Sequence, residues 1–239
     1  MSEKETNVSG PLIVSMGSSF AAGPGLPPFS NEAAGRSQLN YPTLFSQLVA
    51  GSRFVDLTVS GATVANLVDE PQGAQDGSVF APQLDLLPRD ADVITLTVGG
   101  NDMGYIGERM LDLIDRIHRK APRARILLVD YIQVVGPHTR PRTDVPFNQD
   151  RIDRYRSIAS DLVEIYNHIA SHRNQLVTRV ELYDLSEQHS LGCDVEWVGR
   201  FRLWDFWKTP AFHPSYLGMR AIAREVHRVY LETKLEGRG

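Results

Sequence analysis

Short runs of β-branched and aliphatic residues recur at Leu12-Ile13-Val14, Phe54-Val55-Asp56-Leu57, Val93-Ile94-Thr95-Leu96-Thr97-Val98, Ile126-Leu127-Leu128-Val129 and Val180-Glu181-Leu182-Tyr183. Runs this short, bounded by turn-forming residues, predict buried strands. Between them the apolar period lengthens. Tyr41, Leu44, Phe45 and Leu48 share one helical face, as do Met110, Leu113, Ile114 and Ile117. From Asp150 to His172 apolar residues repeat at Ile152, Tyr155, Ile158, Ala159, Leu162, Ile165, Tyr166 and Ile169, and a last amphipathic segment runs from Tyr216 to Leu231. Strands alternating with helices predict an α/β fold with a parallel sheet covered on both faces.

No sequence period repeats and no Gly/Ser-rich linker divides the chain, so residues 11–239 read as a single domain behind a flexible polar segment, residues 1–10. With 239 residues, 42% of them hydrophobic, the chain can bury a sizeable core. Lys+Arg number 25 against 29 Asp+Glu, a formal net charge of −4, which argues against nucleic acid as a partner. The single cysteine, Cys193, cannot form an intramolecular disulfide, and a metal site built mainly from thiolates is ruled out. No apolar run approaches the roughly 18 residues of a membrane span. The first ten residues lack the apolar stretch of a secretory signal, so the chain reads as cytoplasmic, with a processed secreted form as the alternative. Oligomeric state is not legible in the pattern.

In parallel sheets ligands bind beyond the carboxyl ends of the strands, so chemistry is sought just after each apolar run. Ser19, in Met16-Gly17-Ser18-Ser19-Phe20, follows the first run at a tight turn among small residues. Gly61 follows the second run, and Gly99-Gly100-Asn101-Asp102 follows the third. An asparagine side chain there, with the backbone N–H groups of Ser19 and Gly61, would make a three-donor hole for an oxyanion; a structural Asx turn is the alternative for Asn101. After the fourth run comes a long loop, Gly136 to Phe147, rich in proline and charge, of the kind that serves as a lid, a binding loop or a mobile insertion. His213 precedes Pro214 and Ser215, good helix-start residues, which would hold its imidazole on a fixed loop where it can act as general base and acid for a serine. Trp204, Phe206, Trp207 and Phe212 crowd the approach to His213; Trp204, Trp207 and Phe212 are the candidate substrate contacts, with core packing as the alternative. His168 and His172 stand one helical turn apart without the glutamate of a zinc-binding H-E-x-x-H, so no metal is expected.

Taken in order, Ser19, Gly61, Asn101 and His213 resemble the four blocks of the SGNH hydrolases, also called GDSL esterases and lipases, over about Leu12 to Leu231. The resemblance implies a three-layer α/β/α sandwich with a flavodoxin-like, mostly parallel five-stranded sheet. It also implies a cofactor-independent serine esterase acting on small-molecule carboxylic esters, acyl or acetyl, through an acyl-enzyme. In this reading Ser19 is the nucleophile, His213 the base, and Ser19 N–H, Gly61 N–H and the Asn101 side chain the oxyanion donors. Two positions depart from the pattern. Ser18 stands where the family usually has aspartate, and Pro210 stands where it keeps the acid of its triad. The imidazole must then be oriented by a backbone carbonyl near Pro210 or by the carboxylate of Asp205, with the carbonyl preferred. The broken acid block motivates a second reading, a catalytically weakened ester- or carbohydrate-binding module on the same fold. Without a lipid-sized lid signal, small soluble esters are the favoured substrates.

Overall fold

The computed structural model describes residues 10–102, 106–200 and 211–236. Five parallel strands form the central sheet: β1 (Leu12–Gly17), β4 (Arg53–Asp56), β7 (Val93–Thr97), β8 (Arg125–Val129) and β9 (Val177–Val180), in the order β4-β1-β7-β8-β9. This is the flavodoxin-like order, in which the chain steps from β1 out to one edge and returns to the other side of β1. Two short antiparallel pairs lie outside the sheet, β2 (Phe29–Asn31) with β3 (Arg36–Ser37) and β5 (Gln72–Gly73) with β6 (Val79–Phe80). The helices are α1 (Ser19–Ala22), α2 (Tyr41–Leu48), α3 (Val64–Val68), α4 (Gln83–Leu86), α5 (Ile106–Lys120), α6 (Gln149–His172) and α7 (Tyr216–Glu236).

All six residues of β1 are buried, because neighbours flank it on both sides and helices cover both faces. The two-residue period of its side chains divides the core. Leu12, Val14 and Met16 pack with Ile126 and Leu128 against Leu113, Ile114, Tyr166 and Ile169, on the α5 and α6 face. Ile13 packs with Leu127 and Val129 against Phe45, Met219 and Val226, on the α2 and α7 face. The three layers predicted from the alternation are therefore present, and all pairings in the central sheet are parallel.

Local chemistry sets the helix starts. Asn40 accepts a hydrogen bond from Thr43 N at the head of α2, Asn148 caps α6 in the same way, and Thr63 forms a reciprocal capping box with Asn66 at α3. The fifth strand lies three residues earlier than the pattern predicts, at Val177–Val180 rather than 180–183. Its ladder ends where Asp130 N donates to Val180 O, and the Asp130 carboxylate then draws the chain aside by accepting from Leu182 N. Leu182 is fully buried without being part of the strand, which is why its apolar neighbourhood mimics one.

The same carboxylate pairs with Arg179 through two hydrogen bonds of 2.8 and 2.5 Å, with side-chain exposures of 1% and 11%. Asp130→Ala would leave a largely buried guanidinium with the exposed Glu181 carboxylate, 3.7 Å away, as its remaining ion-pair partner among the described residues. It should lower the unfolding free energy by about 3–5 kcal/mol in denaturant titration. A loss under about 1 kcal/mol would put the pair among those with little net effect.

Candidate active site

Ser19 lies at the head of the sheet's carboxyl edge, beside the point where the topology reverses between β1 and β7. The turn that carries it is closely fixed. Gly17 has φ +144°, and a Cβ there would lie 2.3 Å from Thr97 O, so only glycine lets β1 end against β7 in this way. Gln83 grips the Gly17 peptide from α4, accepting from Gly17 N at 2.8 Å and donating to Gly17 O at 2.9 Å. Ser18 N donates to Thr97 O at 3.0 Å, and Ser19 then opens α1, itself buried.

The ends of β4 and β7 close around this turn. Val59 N donates to Gly17 O at 3.1 Å, which carries Gly61 in from the β4 side. Among the described residues neither the Ser19 N–H nor the Gly61 N–H donates to a protein acceptor. The Asn101 amide donates one N–H to Ala62 O at 3.0 Å, which fixes its plane and leaves its second N–H for another acceptor. Asp102 secures the same loop by accepting from Val64 N at 3.0 and 3.1 Å at the start of α3. Burial pushes the Asp102 carboxyl above its ordinary range, with the Val64 N–H and Arg109 pulling the other way.

His213 sits just before α7, on a segment that crosses residues 197–199 in antiparallel fashion. Phe212 N donates to Gly199 O, Gly199 N to His213 O, and Ser215 N to Trp197 O. Phe212 has φ +68°, unusual for a bulky side chain, and across that turn the Ala211 carbonyl comes to 3.0 Å from His213 Nδ1. A carbonyl can only accept, so Nδ1 carries a proton, and in the neutral imidazole Nε2 then keeps its lone pair. The Phe20 ring, next to Ser19 in the chain, lies 5.5 Å from the His213 ring. Among the described residues no hydrogen bond joins Ser19 Oγ to the His213 ring. Such contacts often tighten only with substrate bound. Trp204, Asp205 and Trp207 lie outside the described residues, as do Pro210 and residues 1–9.

Residues 15–221 match the GDSL-like lipase/acylhydrolase family. The chain belongs to that family. It is 40% identical over 91 residues to Lipase 2 of Streptomyces coelicolor, a match covering 37% of this chain and 29% of the relative. The chain spans about a third of the length of the curated Streptomyces lipases it matches. In three dimensions it is similar to the extracellular lipase of Streptomyces rimosus, with TM-score 0.73 and 18% identity over 90% of this chain and 99% of that one. It is equally similar to phospholipase A1 of Streptomyces albidoflavus, with TM-score 0.73 and 15% identity over the same shares.

Beside Ser19, at the carboxyl edge of the sheet of this GDSL-family fold, opens a largely apolar pocket of about 350 Å³. Its walls include Phe20, next to Ser19, and Phe212, next to His213, together with Tyr131, Phe147, Tyr155 and Ile158. Phe212 is thus the one predicted substrate contact among the described residues, and it lines the pocket. Tyr155 and Ile158 belong to the apolar stripe of α6 yet remain exposed, at 37% and 53%, because the stripe passes from the core to the pocket at this point. The long loop 136–147 is cross-tied: Gly136 N donates to Thr139 Oγ1, and Asp144 holds Arg140 through its carboxylate. The loop delivers Phe147 to the pocket wall, 5.4 Å from Phe212. The His168 and His172 rings lie 3.9 Å apart, tilted by 34°, and no group of three metal-ligating side chains occurs among the described residues. No helix among them is long and apolar enough to cross a membrane.

Proposed function

We propose that this protein hydrolyses carboxylic esters through an acyl-enzyme on Ser19. His213 Nε2 removes the hydroxyl proton as Ser19 Oγ attacks the acyl carbonyl, and the same imidazole returns the proton to the departing alcohol. Water then attacks the acyl-enzyme, with His213 again as base. The negative oxygen formed at each addition is held by Ser19 N–H, Gly61 N–H and the second N–H of Asn101. The observation that carries this reading is the pair of backbone donors at Ser19 and Gly61 that have no acceptor among the described residues, next to an asparagine amide already locked at one N–H. The Ala211 carbonyl fixes the His213 tautomer, the task that the family usually gives to the acid missing at Pro210.

The pocket's lining favours an acyl chain longer than acetyl, against the small soluble esters expected from the sequence. No lid stretch announced it, because its apolar side chains come from separate short segments. Each methylene transferred from water into such a pocket contributes about 0.8 kcal/mol. With p-nitrophenyl esters of rising acyl length, kcat/KM should climb about fourfold per methylene until the pocket is filled. A profile that peaks at acetate would overturn the assignment of the pocket to the acyl group. The extracellular description of the Streptomyces rimosus lipase favours the secreted form over the cytoplasmic address expected from the polar N-terminal residues.

A further inference from the structure

The residue after Asp130 has no part in the chemistry described so far, yet its hydroxyl touches both sides of the active site. Tyr131 Oη lies 3.2 Å from Ser18 Oγ and accepts a hydrogen bond from Gly100 N at 3.1 Å. Ser18 directly precedes the nucleophile, and Gly100 directly precedes the oxyanion asparagine. A Cβ on Gly100 would lie 3.0 Å from the Tyr131 hydroxyl and ring edge, so glycine at that position lets the tyrosine reach the loop. The ring packs 4.7 Å from that of Phe20 and forms part of the apolar pocket. Resting on the esterase reading above, we infer that Tyr131 is a positioning residue, whose hydroxyl holds the Ser19 turn and the Asn101 loop in register while its ring forms a wall of the acyl pocket.

The chemistry of the link is that of a neutral phenol. Burial raises the Tyr131 pKa, so the hydroxyl keeps its proton at working pH. It accepts from Gly100 N–H with one lone pair and shares its remaining hydrogen-bonding capacity with Ser18, where either hydroxyl can be the donor. Attack by Ser19 and capture of the oxyanion by Asn101 occur on one carbonyl group, so the two loops must keep a fixed separation. Misplacement of about 1 Å can cost on the order of a hundredfold in rate.

Tyr131→Phe separates the two functions, since it keeps the ring and deletes the hydroxyl. It should lower kcat about tenfold or more on butyryl and octanoyl p-nitrophenyl esters alike, with KM within about twofold of wild type. Ser18→Ala alone should lower kcat severalfold. Added to Tyr131→Phe it should cost less than a further twofold, because its partner is already gone. Three results would each overturn the positioning role: kcat of Tyr131→Phe within twofold of wild type, a loss carried by KM, or losses that multiply in the double variant. A folded wild-type protein inactive on every ester would instead overturn the esterase reading on which the role depends.

Discussion

Ser19→Ala is expected to reduce kcat for ester hydrolysis on the order of 10⁴-fold or more, with the fold intact. The two halves of that expectation have separate grounds. The hydroxyl is the only protein group in the proposed mechanism that bonds to the acyl carbon, so no other side chain of the site substitutes for it. Yet its removal costs the native state little. Ser19 Oγ makes no hydrogen bond among the described residues, and alanine has high intrinsic helix propensity. The Ser19 N–H survives the change, so the oxyanion donors remain and residual turnover above water is expected. A fluorophosphonate, which needs an activated serine, should label the wild-type protein at Ser19 and fail on the variant. Activity retained within tenfold of wild type would remove Ser19 from the mechanism. Failure of the folded wild-type protein to label would favour a binding module on this fold.

The order of strands and helices is legible because the inner strands β1, β7 and β8 are buried on both faces and so read as largely apolar runs, while the covering helices keep a 3.6-residue stripe. The same logic misplaced the fifth strand, since Leu182 is as buried as any strand residue but owes its burial to a turn held by Asp130. The short pairs β2–β3 and β5–β6 and the helices α1, α3 and α4 carry too few residues for any period to register. At the candidate site, Ser19, Gly61 and Asn101 are legible because each stands in the turn that follows a strand. Tyr131 occupies a corresponding place after β8, where the long, proline- and charge-rich loop that follows carries the stronger sequence signal. A tyrosine there carries no chemical signature until the fold sets its hydroxyl between Ser18 and Gly100. Gln83 was equally silent, because its two bonds to the Gly17 peptide join residues 66 positions apart. The pocket escaped notice for a related reason: α6 presents its stripe to the core at Ile152, Tyr166 and Ile169, and to the pocket at Tyr155 and Ile158, with no change in the sequence period.

His213→Ala should be as damaging as loss of the nucleophile, on the order of 10⁴-fold in kcat, because residues that act as one unit in proton transfer fail together. Partial recovery with added imidazole would show that the loss is that of a base and not of the fold. What orients the imidazole is decided by a second substitution. With Nδ1 held by Ala211 O at 3.0 Å, the tautomer is set by the main chain, and the left-handed turn at Phe212 maintains that geometry. A carbonyl dipole stabilises the imidazolium less than a buried carboxylate does, but side-chain substitution elsewhere in the loop leaves it in place. Asp205→Asn should therefore keep kcat within about tenfold of wild type, whereas amidation of a true triad carboxylate costs about 10⁴-fold by imposing the wrong tautomer. The measurement is kcat for Asp205→Asn on a medium-chain ester, with circular dichroism to check the fold. A loss beyond about a hundredfold would transfer the orienting role from the Ala211 carbonyl to Asp205 and make the site a Ser19–His213–Asp205 triad.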